Sequence, residues 1–195
     1  MGKLRIGLMV VLSVSWAGAV WAAKKAPVPE TGQATSFAAG DDGALQKGVT
    51  LPSRRFTDNG NGVIKDNLTG LIWLKNANCL NDRPTWQAAL DAVAELNTSD
   101  TMNGQDCGDT SGKKGSHRTD WRLPNIKELL SLIDYGQVPA LPVDHPFSNF
   151  QPLYWSSTTS VNDPGSAWIV EFFNGFVGNN LKTFIFPFVT AVRGP

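Results

Sequence analysis

Apolar residues along the chain fall into three patterns, and each marks a different kind of segment. From Ile6 to Ala19 they run almost unbroken, mixed with small residues. Further on they recur at helical spacing twice. Trp86, Ala89, Leu90, Val93 and Leu96 make one face of a helix predicted over residues 85–97, with Thr85 as its cap. Ile126, Leu129, Leu130 and Ile133 fall at i, i+3, i+4 and i+7, which predicts a second helix. Asn125 is its N-cap, Glu128 completes a capping box, and Pro124 sharpens the boundary. On the extended lead-in to this helix Trp121 and Leu123 alternate, so both can face the core it covers.

The third pattern is short apolar runs between turn residues. Residues 55–58 and 63–66 flank Asn59-Gly60-Asn61-Gly62, and Asn-Gly between extended runs predicts a hairpin because both residues tolerate positive φ. A second turn at residues 67–70 leads into a buried strand over 71–75. Strands follow over 153–159 and 167–173, the latter ending at the turn Asn174-Gly175, with a partner strand starting at Phe176. A last apolar run, 184–193, carries Pro187 as the mark of an edge or bulge, and its Phe184, Phe186 and Phe188 are expected in the core. Residues 98–119 are polar and Gly-rich and read as one long loop. Residues 135–152, with Pro139, Pro142 and Pro146, read as irregular. Strands, then helices, then strands give an α+β domain with a mostly antiparallel sheet.

The N-terminus adds an export signal. Lys3 and Arg5 make a basic start, and Val20-Trp21-Ala22 places small residues for cleavage after Ala22. An uncleaved anchor is the alternative, but the apolar run is short of the roughly 20 residues a spanning helix needs. The mature protein is thus expected in the periplasm or secreted, with no stable membrane span. Residues 23–54 are rich in Pro, Gly, Ala, Thr and Gln and read as a linker or extended arm, or as a segment lying along the surface of the domain over 55–195.

Composition then narrows the function. The 195 residues suffice for one domain. Basic and acidic residues number 17 each, and loss of Lys3 and Arg5 with the signal leaves the acids in slight excess. No global field favours nucleic acid or an anionic membrane. Cys79 and Cys107 in an exported chain favour a disulfide, which would stabilise by roughly 3–4 kcal/mol on the chain-entropy model. A nucleophilic role would need a free thiol and a partnered His. His117 and His145 share no metal-ligand spacing, and a triad with Ser156 or Ser157 would need a geometry that sequence does not show. Asp58, Asn59, Asn61 and Asp66 miss the EF-hand spacing. No cofactor, metal site or enzymatic activity is expected.

The segments Arg55-Phe56-Thr57-Asp58-Asn59-Gly60-Asn61-Gly62, Asp66-Asn67-Leu68-Thr69-Gly70-Leu71-Ile72-Trp73, Asp120-Trp121-Arg122-Leu123-Pro124, Tyr154-Trp155-Ser156-Ser157-Thr158, Ala167-Trp168 and Val192-Arg193-Gly194 stand in a specific order. Together they resemble the bacterial domain family named after the C-terminal domain of the Legionella collagen-like protein. The resemblance runs from about Arg55 to the C-terminus. It implies a C-type-lectin-like fold in which the N- and C-terminal strands of the domain pair, two helices flank the sheet and a long loop region carries any ligand site. The family has no general enzymatic assignment, and its named member is an adhesin for sulfated glycans. The calcium motifs of lectins are missing: Gln151-Pro152 is followed by Leu153, and no Trp-Asn-Asp occurs. No Cys follows Cys107 to serve the chemistry of formylglycine-generating enzymes, a related fold.

Within that frame Lys113, Lys114, His117 and Arg118 form a basic cluster in the long loop, suited to sulfate or carboxylate groups. Trp73, Trp121, Arg122, Pro124, Trp155 and Trp168 are expected to build the fold, with Arg122 paired to a carboxylate such as Glu128 or Asp134. The function expected is a non-catalytic binding module for a glycan or surface polymer. The alternative is an envelope domain that docks another protein.

Overall fold

The computed structural model describes residues 28–107 and 118–194. It is a mixed α+β fold with three helices and mostly antiparallel sheets among those residues. Strands β1 (Phe56–Asp58), β2 (Val63–Asp66), β3 (Ile72–Leu74) and β9 (Val192–Arg193) form one sheet, in that order. The expected Asn-Gly hairpin is β1–β2, with Phe56 opposite Asp66 and Gly60 and Gly62 at φ of 74° and 82°. The C-terminal strand does return to the N-terminal sheet. It pairs with β3, however, and not with the first strand as the resemblance implied.

A second sheet holds β6 (Leu153–Thr159), β7 (Ser166–Glu171) and β8 (Phe176–Leu181). Helix α2 (Trp86–Ser99) matches the first apolar face, and Thr85 caps it by accepting from the Ala88 N–H. Helix α3 is shorter than its stripe predicts. It spans Ile126–Leu130 with the full capping box, then tightens to i→i−3 bonds through Leu132 and Ile133. Both Leu132 and Ile133 are still buried, so the stripe is satisfied without a full helix. Residues 98–119 are not one loop as expected. Strands β4 (Thr101–Met102) and β5 (Gln105–Asp106) make a small hairpin around Asn103 and Gly104, with Met102 buried.

The strands feed two cores, one on each face. Val63, Leu74, Trp155 and Ile169 join the cluster under α2, while their chain neighbours Ile64, Trp73, Tyr154 and Val170 join the cluster under α3. Successive strand residues point to opposite faces, so two buried faces require unbroken apolar runs. Each of these large side chains adds about 1.5–3 kcal/mol relative to exposure.

The segment Trp121–Pro124 is the seam between the sheets. Arg122 exchanges both backbone bonds with Val192 of β9, and the Pro124 carbonyl accepts from Ser157 of β6. The Asn97 side-chain amide bonds both the N–H and the carbonyl of Trp121, which fixes the seam to the end of α2. The bridge Cys79–Cys107 is formed, with an S–S distance of 2.04 Å.

Residues 28–53, expected as a linker or extended arm, close into a small lobe instead. Pro29 bridges Val49, and helix α1 (Asp42–Leu45) is capped by Asp41. The lobe docks on the turn after α3, where the Tyr135 N–H donates to the Thr31 carbonyl at 2.9 Å. Backbones approach closely there: a Cβ on Gly136 would stand 2.3 Å from the Gly32 carbonyl oxygen. No helix among the described residues is long and apolar enough to cross a membrane.

Candidate ligand-binding face

The disulfide positions the site. It anchors Cys79 in the loop from Asn78 to Arg83, just before α2. Pro84 ends that loop, and its carbonyl is held by the Trp155 indole N–H at 3.1 Å. Opposite runs the chain leaving β8. It turns at once, with the Phe184 N–H donating to the Leu181 carbonyl, and crosses toward β6, where Phe188 exchanges bonds with Leu153 and Trp155. Between the two segments lies a groove of about 540 Å³, lined by Asn78, Asn81, Asp82, Arg83, Ile185, Phe186 and Phe188.

Arg83 lines the groove, and a second ring-mounted cation, Lys182, stands on the chain that leads into residues 185–188. The Arg83 guanidinium sits 4.8 Å from the Phe188 ring centre, and the Lys182 ammonium 4.0 Å from that of Trp86. Lys182 also donates to the Thr159 hydroxyl, and the Trp86 indole to the Ser156 carbonyl, so both are fixed in place. Phe184 and Phe186 stack on each other at 4.7 Å and stay 42% and 52% exposed. Ile185 between them is 57% exposed. The expectation that Phe184 and Phe186 are core is therefore wrong, and only Phe188 of the three is buried. Residues 184–189 are apolar at every position, so neither a strand nor a helix could bury them all from one side. Asn78 Oδ1 is buried with no hydrogen-bond partner among the described residues.

The arrangement suits stacking of a flat apolar face on exposed rings, with charge-assisted bonds from two pre-placed cations. Asp82 lies beside Arg83 and accepts from the Arg83 backbone N–H, so the face is mixed in charge. Arg83 and Lys182 were not singled out from sequence. The available signal was Lys182 next to an apolar run interrupted by Pro187.

Of the sequence-derived cluster, Lys113, Lys114 and His117 lie outside the described residues, and Arg118 is exposed. Cys107 is bonded to Cys79, the neighbour of Asn78 in the groove wall. Trp73, Trp121 and Trp155 are buried, and Trp168 is half-buried. Arg122 forms a bidentate pair with Glu128, at 2.8 and 2.7 Å, and also donates to the Gly194 carbonyl. Asp134 instead accepts from the Gly136 N–H. Of the carboxylates that miss the EF-hand spacing, Asp58 pairs with Lys75 and Asp66 with Arg55.

A second concavity, of about 480 Å³, is walled by Pro139, Pro142, His145, Phe147 and Phe150. Burial lowers the His145 pKa, which Asp144 opposes. The imidazole packs on Phe147 and Phe150, while the Ser156 hydroxyl donates to the Trp168 carbonyl.

The Lcl C-terminal domain family model matches residues 62–193, well over half of the chain. The chain belongs to that family. The match starts at Gly62, later than the Arg55 suggested by the motifs, and so excludes β1 and the lobe. No curated protein matches the chain. Within the Lcl C-terminal domain, the seam, strands β2 to β9 and the aromatic-cationic face all lie inside the matched region.

Proposed function

We propose that this Lcl C-terminal domain, in a C-type-lectin-like fold, is an exported, non-catalytic binding module for an anionic glycan or surface polymer. The observation that carries it is the exposed Phe184–Phe186 pair set beside the ring-mounted cations Arg83 and Lys182. Sugar rings offer apolar faces to aromatic side chains, and sulfate or carboxylate groups accept from guanidinium and ammonium. Lys113, Lys114, His117 and Arg118 follow Cys107 by 6 to 11 residues in sequence and add positive charge to the same domain.

The test is binding of the mature protein to a glycan panel that includes sulfated polymers, at low and high salt, with and without chelator. Binding that weakens with salt, ignores chelator and falls at least tenfold in Arg83→Glu and Phe186→Ala supports the reading. Silence across the panel refutes it. Binding that survives both substitutions places the site elsewhere. The exposed Ile185 favours a second reading, an envelope protein docking on the same face. Salt-independent capture of a defined envelope protein, lost in Ile185→Asp, would select it.

A further inference from the structure

Strand β8 closes the second sheet and carries none of the usual edge protection. Its six residues, Phe-Val-Gly-Asn-Asn-Leu, include no charge and no proline, and its pairing with β7 is unbroken over all six positions. Long, flat, uncharged edges invite another strand. Phe176 and Leu181 at its ends are 56% and 58% exposed.

The direction of the free backbone groups follows from bonds already made. Lys182 N–H donates to the Gly165 carbonyl, its directly opposed residue in the β7 register. Hydrogen-bonded pairs alternate along an antiparallel ladder. Even-numbered residues of β8 therefore bond inward to β7, while Val177, Asn179 and Leu181 aim their N–H and carbonyl groups outward. The Leu181 carbonyl already accepts from Phe184.

We propose that a second copy of this chain adds to that edge, β8 against β8 antiparallel, with Asn179 opposite Asn179 of the copy. A two-fold axis relating paired antiparallel strands stands perpendicular to the sheet, so it pairs residues of like parity. The outward groups require an odd centre, and Asn179 is the middle of the three. This register sets Val177 opposite Leu181 of the copy, apolar on apolar. It forms two bonds between the Asn179 residues and two from Leu181 N–H to Val177 carbonyl, none of which uses a group already engaged. The edge is thus self-complementary, and two three-stranded sheets become one of six strands.

The test joins sedimentation of the mature protein over a concentration series to residue-resolved amide exchange. The expected result is a dimer in which Val177, Asn179 and Leu181 amides gain protection as concentration rises. Gly178 and Asn180, bonded within the monomer, are protected throughout. Asn179→Asp sets like charges opposite each other and is expected to weaken the dimer about fivefold. Asn180→Asp, which faces Gly178 of the copy, leaves it intact. A monomer at all concentrations overturns the proposal. So does a dimer whose Val177 and Asn179 amides still exchange freely, or one equally weakened by both substitutions.

Discussion

Removing Asp66 is expected to damage the fold more than removing the arginine it pairs with. Asp66 is fully buried, and Arg55 is 6% exposed. The carboxylate accepts from Arg55 Nε and Nη2 at 2.8 and 2.9 Å, from the Leu68 N–H at 2.8 Å and from the Thr69 hydroxyl at 2.7 Å. It therefore neutralises a buried cation and ties the turn between β2 and β3. Arg55 has one further partner, the Ser131 carbonyl after α3. In Asp66→Ala the guanidinium keeps that carbonyl alone, and the turn loses its acceptor. Breaking a buried pair this way costs about 3–5 kcal/mol. In Arg55→Met the carboxylate keeps its turn donors, and the loss is nearer about 2 kcal/mol, that of one charged hydrogen-bond pair. Urea unfolding measures both. With a slope of about 2 kcal/mol/M, Asp66→Ala lowers the midpoint by about 2 M and Arg55→Met by about 1 M. The double variant should fall short of the sum by about 2 kcal/mol, since the two act through one interaction. Equal losses, the reverse order, or strict additivity would refute the asymmetry.

Replacing Cys79 and Cys107 by Ser should cost about 3.5 kcal/mol, from a sequence separation of 28; a reductant that leaves the urea midpoint unchanged would contradict it. Gly136→Ala is expected to release the lobe from the turn after α3, because of the close Gly32 carbonyl. Limited proteolysis would then cut within residues 28–53 while the sheets stay intact, and unchanged protection of the lobe would argue against it. Acid should act on the lobe late. Backbone N–H groups of Phe37, Ala38 and Ala44 hold the Asp41 pKa at about 2, below the usual 3.8. A lowered folded-state pKa gives stability that is fully present above 3.8 and is lost as pH falls toward 2. The Asp41 carboxyl carbon, followed by NMR, should titrate near the lower value, and a midpoint near 3.8 would show that the cap is absent in solution.

Much of the fold was legible because its signals are local. Asn125 and Glu128 form both halves of their box, and Asn59–Gly62 makes its turn, since capping and positive φ depend on a few adjacent residues. Strand 153–159 was found at its observed limits. Asn103-Gly104 carries the same hairpin signal, but its flanks are polar and only Met102 is buried, so no apolar alternation marks the two strands. The lobe was not legible: its order comes from Asp41 capping and from contact with Tyr135, far away in sequence. Phe184 and Phe186 misled for a related reason. Hydropathy says that a residue is apolar and cannot say whether anything covers it. The face they form joins segments about a hundred residues apart, Arg83 and Lys182, which no short window contains.

Cys107 is covalently tied to Cys79 just before α2, and Trp121 is gripped by Asn97 near the end of that helix. The positions of Cys107 and Trp121 are therefore set by what flanks and ends α2, and not by the sequence between them. Substitutions in that sequence need not move either anchor, so the scaffold and the residues strung between its anchors are free to diverge at different rates.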